Sequence, residues 1–96
     1  MTARAIAVHE HDSVATALSD LSEGEVVTVG RGTETLPIQL RAPIAFGHKL
    51  ALDAFQPGDP IVKYGQVIGR ATQAIAPGDH VHVHNLEGTR GRGDLT

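Results

Sequence analysis

Three histidines stand at alternate positions, His80, His82 and His84, and Asn85 follows at once. On an extended chain, side chains at i, i+2 and i+4 share a face, so a strand here would present three imidazoles together and turn Val81 and Val83 to the core. Imidazoles spaced about 7 Å apart along a strand do not chelate by themselves. Two of them, with a third ligand from another loop or chain, could hold a divalent ion; they could equally bind a carboxylate or serve as acid and base. The solvated polar face of an amphipathic strand accounts for the same pattern.

Three further clusters carry reactive types. In Phe46-Gly47-His48-Lys49 a titratable base sits beside a fixed cation, which suits binding a carboxylate and moving a proton next to it. A surface turn would use the same residues. Lys63-Tyr64-Gly65 holds the single Tyr of the chain, between a cation and a turn residue; a half-buried ring with a wet hydroxyl is the simpler account. His9-Glu10-His11-Asp12 could take a metal, although Asp12 also reads as a helix cap.

The elements that must position these residues are mostly short strands. Residues 3–8 form one apolar run. Asp12 or Ser13 then caps an expected short helix near residues 13–21, with Val14, Ala17, Leu18 and Leu21 on one stripe. From Glu25 the period changes to two, through Val29 and again through Leu36, Ile38 and Leu40, with Pro37 placing the second run at a sheet edge. Further short strands are expected at Lys49–Leu52, Pro60–Tyr64, Val67–Ile68 and His80–His84. The segments Leu21–Val27, Phe55–Val62 and Ile75–Val81 echo one another: an apolar residue, a turn Gly, an acid and a strand. Pro-Gly in two of them is what a type II turn requires. Residues 1–87 read as one domain and 88–96, with its Arg-Gly-Asp, as a flexible tail or truncated linker.

Ninety-six residues suffice for one small core, built here from aliphatic side chains, with two Phe, one Tyr and no Trp. A partner surface would add stability. The net charge of -3, without a basic stripe, argues against nucleic acid. No apolar run is long enough for a membrane span or a signal peptide, and the chain is expected in the cytoplasm. Without Cys there is no thiolate or disulfide, so any metal would rest on His, carboxylate or amide ligands.

Taken in order, Asp12-Ser13-Val14-Ala15, Gly47 to Leu52, Ile61 to Gly65, Ile68-Gly69 and Gly78 to Asn85 resemble the amino-terminal domain of altronate and galactarate dehydratases. The resemblance runs roughly from Ile6 to Asn85. That domain is similar to the SAF superfamily, named for type III antifreeze proteins and flagellar P-ring chaperones, so the resemblance implies a mainly β, compact β-clip fold. It also implies a hydro-lyase that converts a 2,3-dihydroxy acid to a 2-keto-3-deoxy acid with a divalent metal, Fe(II) or Mn(II). On that basis His48, Lys49 and Tyr64 are the expected catalytic residues, Lys49 and Asn85 bind the substrate, and His82 and His84 hold the metal. Ser13 stands where the family more often has Asn. Single-chain members continue into a large carboxy-terminal domain, so this chain is expected to act with a separately encoded large subunit, in an oligomer.

Two other readings fit the same residues. The small subunit of a sulfolactate sulfo-lyase has the same split arrangement, with sulfite as the leaving group. A non-catalytic module would bind a sugar acid, or a metal through His80, His82, His84, His9 and His11, without taking part in turnover.

Overall fold

Short runs of Val, Ile, Leu and Ala between glycine turns leave room for strands of a few residues, and the computed structural model, which describes residues 3–88, is built from nine of them. They are β1 (Ala5–Ala7), β2 (Val14–Ala17), β3 (Val26–Arg31), β4 (Glu34–Gln39), β5 (Lys49–Ala51), β6 (Pro60–Lys63), β7 (Gln66–Ala71), β8 (His80–Val81) and β9 (Leu86–Gly88). Six pair in the order β4-β3-β1-β2-β5-β8 and three in the order β6-β7-β9. All pairings are antiparallel except β1 with β3. The mainly β expectation holds, and Pro37 lies on β4, an edge of the larger sheet. Expectations for the tail at 88–96 concern residues beyond those described, apart from Gly88 at the end of β9.

The expected helix at 13–21 is a strand instead. β2 runs between β1 and β5, with Val14, Ala15 and Ala17 buried. Burial on both faces gives a continuous apolar run that cannot be told from a helical stripe by periodicity alone. The two capping candidates serve tertiary contacts. Ser13 Oγ accepts the amide of Val62 at 2.9 Å, forty-nine residues away in sequence, so the Ser at this position tethers β6 rather than a helix turn. Asp12 Oδ1 accepts the amide of Gly65 at 2.8 Å.

Each face of the larger sheet carries a core. Ala5, Ala7, Ala15, Ala17, Val29 and Leu50 pack with Leu21, Ile38, Leu40 and Ile44 on one side. On the other, Val14, Ala51 and Val81 meet Ile61 and Ala71 of the small sheet, closed by Phe55 and Ile75. The small sheet covers that second face only in part, and Ile6 of β1 remains 42% exposed.

The echo in the sequence is a repeated loop, and it occurs four times. Gly24, Gly47, Gly58 and Gly78 have φ of 84°, 82°, 92° and 91°, backbone that side-chain-bearing residues rarely adopt. In each loop the residue after Gly donates its amide three residues back: Glu25 to Ser22, His48 to Ala45, Asp59 to Gln56 and Asp79 to Ala76. The apolar residues that open the loops pair as bridges, Leu21 with Ile44 and Phe55 with Ile75.

Candidate functional site

Three of the four loops close on themselves through a carboxylate. Glu25 Oε1 accepts the Ser22 amide at 3.0 Å, Asp59 Oδ2 that of Gln56 at 2.8 Å, and Asp79 Oδ2 that of Ala76 at 2.7 Å. In the fourth loop the acid is replaced by His48, and Asp20 from a neighbouring turn accepts the Phe46 amide at 2.9 Å. The imidazole is thereby free to meet other side chains. His48 Nδ1 lies 2.9 Å from His80 Nε2, one of the two carrying the shared proton. β5 and β8 pair antiparallel with Lys49 opposite Val81 and Leu50 opposite His80, and this short overlap leaves His48 beside the start of β8 and the residue that follows it.

His82 completes the group. Its ring stacks on that of His48 with centroids 4.5 Å apart and planes at 22°, and the His80 and His82 rings are 5.4 Å apart. The ligand nitrogens of His48, His80 and His82 all lie within 4.8 Å of one another, and among the described residues this is the one group of three or more His or acidic side chains that converges so closely. His84 stands beside it, its ring tilted at 35° and 5.4 Å from His80. His9 and His11 approach each other, but join no such group.

The strand expected over 80–84 stops at Val81, and this changes how the histidines converge. His82 to Asn85 form a turn, and Val83, expected in the core, is 82% exposed. Asn85 explains the break. It is 5% exposed, its Nδ2 donates to the His80 carbonyl at 2.8 Å and its Oδ1 accepts the His82 amide at 2.9 Å. A side chain that satisfies those backbone groups replaces the ladder a longer strand would have used. It also curls His82 back over His48.

Burial favours the neutral form of two of these rings. Burial pushes the His80 pKa below the ordinary histidine value, with further lowering by His48, His84, His82 and Lys49. His82 is lowered in the same way, first by desolvation and then by His48, Lys49 and His84. Lys49 is itself lowered, by burial and then by the charge of Lys63. Neutral imidazoles are the ligand form, so the donor set suits a divalent ion.

The other expected residues fall into two places. Lys49 borders the histidines. Tyr64 lies on the β6–β7 turn at φ 56°, 61% exposed, with Lys63 Nζ 4.8 Å from its ring centroid. It belongs to the partly open face of the larger sheet, not to the histidine group. Beside His80 and His84 a cavity of about 300 Å³ is lined by Gln73, Asp79 and Asn85. The sequence pattern marked Gly-His-Lys and the alternating histidines separately. Their link was legible only as the fourth copy of the loop, which His48 disguises by replacing the acid.

Comparison with known proteins gives this geometry a family. The sequence model of the altronate/galactarate dehydratase SAF domain matches residues 3–89. The chain is 48% identical over 80 residues to altronate dehydratase of Escherichia coli strain K12 and 41% identical over 82 residues to that of Bacillus subtilis strain 168. Those matches cover 83% and 85% of this chain but 15% and 16% of the relatives, so the chain spans a small part of either enzyme. It is also 33% identical to (2R)-sulfolactate sulfo-lyase subunit alpha of Chromohalobacter salexigens, over 86% of this chain and 93% of that subunit. No helix among the described residues is long and apolar enough to cross a membrane. With the four-loop β scaffold and a family match that runs through every strand described, the chain belongs to the altronate/galactarate dehydratase SAF domain family.

Proposed function

We propose that this chain is the small subunit of a cytoplasmic sugar-acid hydro-lyase, acting with a separately encoded large subunit to convert a 2,3-dihydroxy acid of altronate or galactarate type to a 2-keto-3-deoxy acid. The observation that carries the reading is the convergence of His48, His80 and His82 beside Lys49 in a chain that shares 48% identity with an altronate dehydratase.

The chemistry needs a base for the proton next to the carboxylate, positive charge for the enediolate and an acid for the departing hydroxide. Lys49 supplies a cation for the substrate carboxylate. His48, His80 and His82 would hold Fe(II) or Mn(II), with His84 alongside, and a bound ion would supply the positive charge. A second use of the same rings is favoured by the 2.9 Å contact between His48 and His80: a proton relay in which His48 takes the substrate proton while its Nδ1–H donates to neutral His80. Asn85 acts by shaping the turn that carries His82.

The sulfo-lyase reading has its own support, because this chain covers nearly the whole of a free-standing subunit alpha. A substrate panel separates the two. The chain is co-expressed with the large dehydratase chain of its own genome, supplied with Fe(II) or Mn(II), and given altronate, galactarate and sulfolactate. Release of 2-keto acid that requires this chain supports the hydro-lyase, release of sulfite supports the sulfo-lyase, and full activity from the large chain alone contradicts both.

A further inference from the structure

Exposed apolar side chains are normally scattered over a surface, and here they are gathered. Ile6, Val8, Leu18 and Tyr64 line one cavity of about 180 Å³ on the part of the larger sheet that the small sheet leaves uncovered. Tyr64 and Val67 line an adjoining one of about 390 Å³, Lys63 being shared by both. Phe46 and Val83 are exposed as well, outside both cavities, one two residues before His48 and the other between His82 and His84. Val26 is the remaining large apolar side chain exposed among the described residues.

Two features mark this surface as built. Tyr64 is held at φ 56°, a conformation costing a non-glycine residue of order 1–3 kcal/mol unless its surroundings impose it. They do: the fully buried carboxylate of Asp12 accepts the Gly65 amide at 2.8 Å and fixes the turn, so the ring is aimed outward. The lysines are the second feature. Lys63 lines both cavities, and Lys49 is the cross-strand neighbour of Thr16 on the floor of the first. Neither forms an ion pair among the described residues, although their charges oppose each other.

The geometry points to this face, from Val67 through Tyr64 to Leu18, Ile6 and Val8, as the docking surface for the large lyase chain, which brings an apolar segment to the groove and a carboxylate to Lys63. The inference rests on the hydro-lyase reading. Its occupant follows from the charge of Lys63, which has no ion-pair partner among the described residues, and from the relatives, in which the region like this one makes up 15% to 16% of a longer chain.

The test measures affinity between the full chain and the large chain of the same genome by titration calorimetry, beside turnover of the complex. Leu18→Glu and Val67→Glu, at exposed positions, should each weaken binding by about tenfold or more, as should Lys63→Glu, with Lys63→Arg retaining most of it. Val26→Glu is the control and should bind normally, and thermal melts of every variant should match the parent. Tight binding and activity of the parent complex with no loss in Leu18→Glu or Val67→Glu would overturn the inference while leaving the functional reading intact. Self-association of the isolated chain that Leu18→Glu abolishes, with the large chain still bound, would assign the face to a second copy and overturn it equally. Failure of the parent to bind the large chain at all would defeat the functional reading itself.

Discussion

His48 and His80 meet at 2.9 Å because the first residue of β8 pairs beside β5 while the loop before β5 carries an imidazole where its three sister loops carry an acid. One substitution in a repeated turn converts a closing hydrogen bond into half of a chemical site.

The isolated chain should bind a divalent ion through that group. Zinc or cobalt titration monitored by thermal melting should raise the midpoint, and His48→Ala, His80→Ala and His82→Ala should each remove most of the shift. His11→Ala, outside the group, should leave it unchanged. An equal shift in His48→Ala would favour the proton-relay use of the rings.

Asn85 should matter to binding through shape. Asn85→Ala leaves the His80 carbonyl and His82 amide without their present partner, at a cost of about 1–3 kcal/mol. The turn then no longer holds His82 over His48, so ion affinity should fall by about 10-fold or more. Urea unfolding checks the first expectation and the metal titration the second.

Acid should attack the fold through Asp12. Burial raises its pKa, but the amides of Gly65, His9 and Tyr64 outweigh burial and hold the pKa below the ordinary value of 3.8. A carboxyl depressed in the folded state stabilises above its unfolded pKa, and that contribution disappears as pH falls through the folded value. Stability should therefore decline as pH drops below about 4. Asp12→Asn should be less stable at neutral pH and lose less on acidification, as acid titrations followed by circular dichroism will show.

Two loop glycines with nearly the same φ should respond differently to alanine. At Gly24 an added Cβ meets nothing within 4 Å, so Gly24→Ala should cost only the conformational strain, about 1–2 kcal/mol. At Gly78 the Cβ would collide with the Gln39 carbonyl oxygen. Gly78→Ala should be the more destabilising in urea, because backbone has to move.

Much of this architecture was readable from residue order. The period-two runs located β3 and β4, Pro37 its edge, and the Pro-Gly pairs the turns at Gly58 and Gly78. The failures share a cause, which is that long-range contacts overrode local patterns. Val14–Leu21 has helical spacing, yet β1 and β5 claim its first four residues and bury them on both faces. His80–His84 alternates like a strand, yet Val81 already faces the first residue of β5 and Asn85 takes over the backbone groups beyond it. The candidate site was half legible: histidines and Lys49 stood out by type, while the meeting of residues 48 and 80 depends on strand order that no local spacing encodes.

The most direct test of the histidine site is the turnover of the complex carrying His48→Ala, measured with the substrate that the parent complex processes best. The complex should remain intact while its kcat/KM falls by about a hundredfold or more. Parent-level turnover by an intact His48→Ala complex would contradict it.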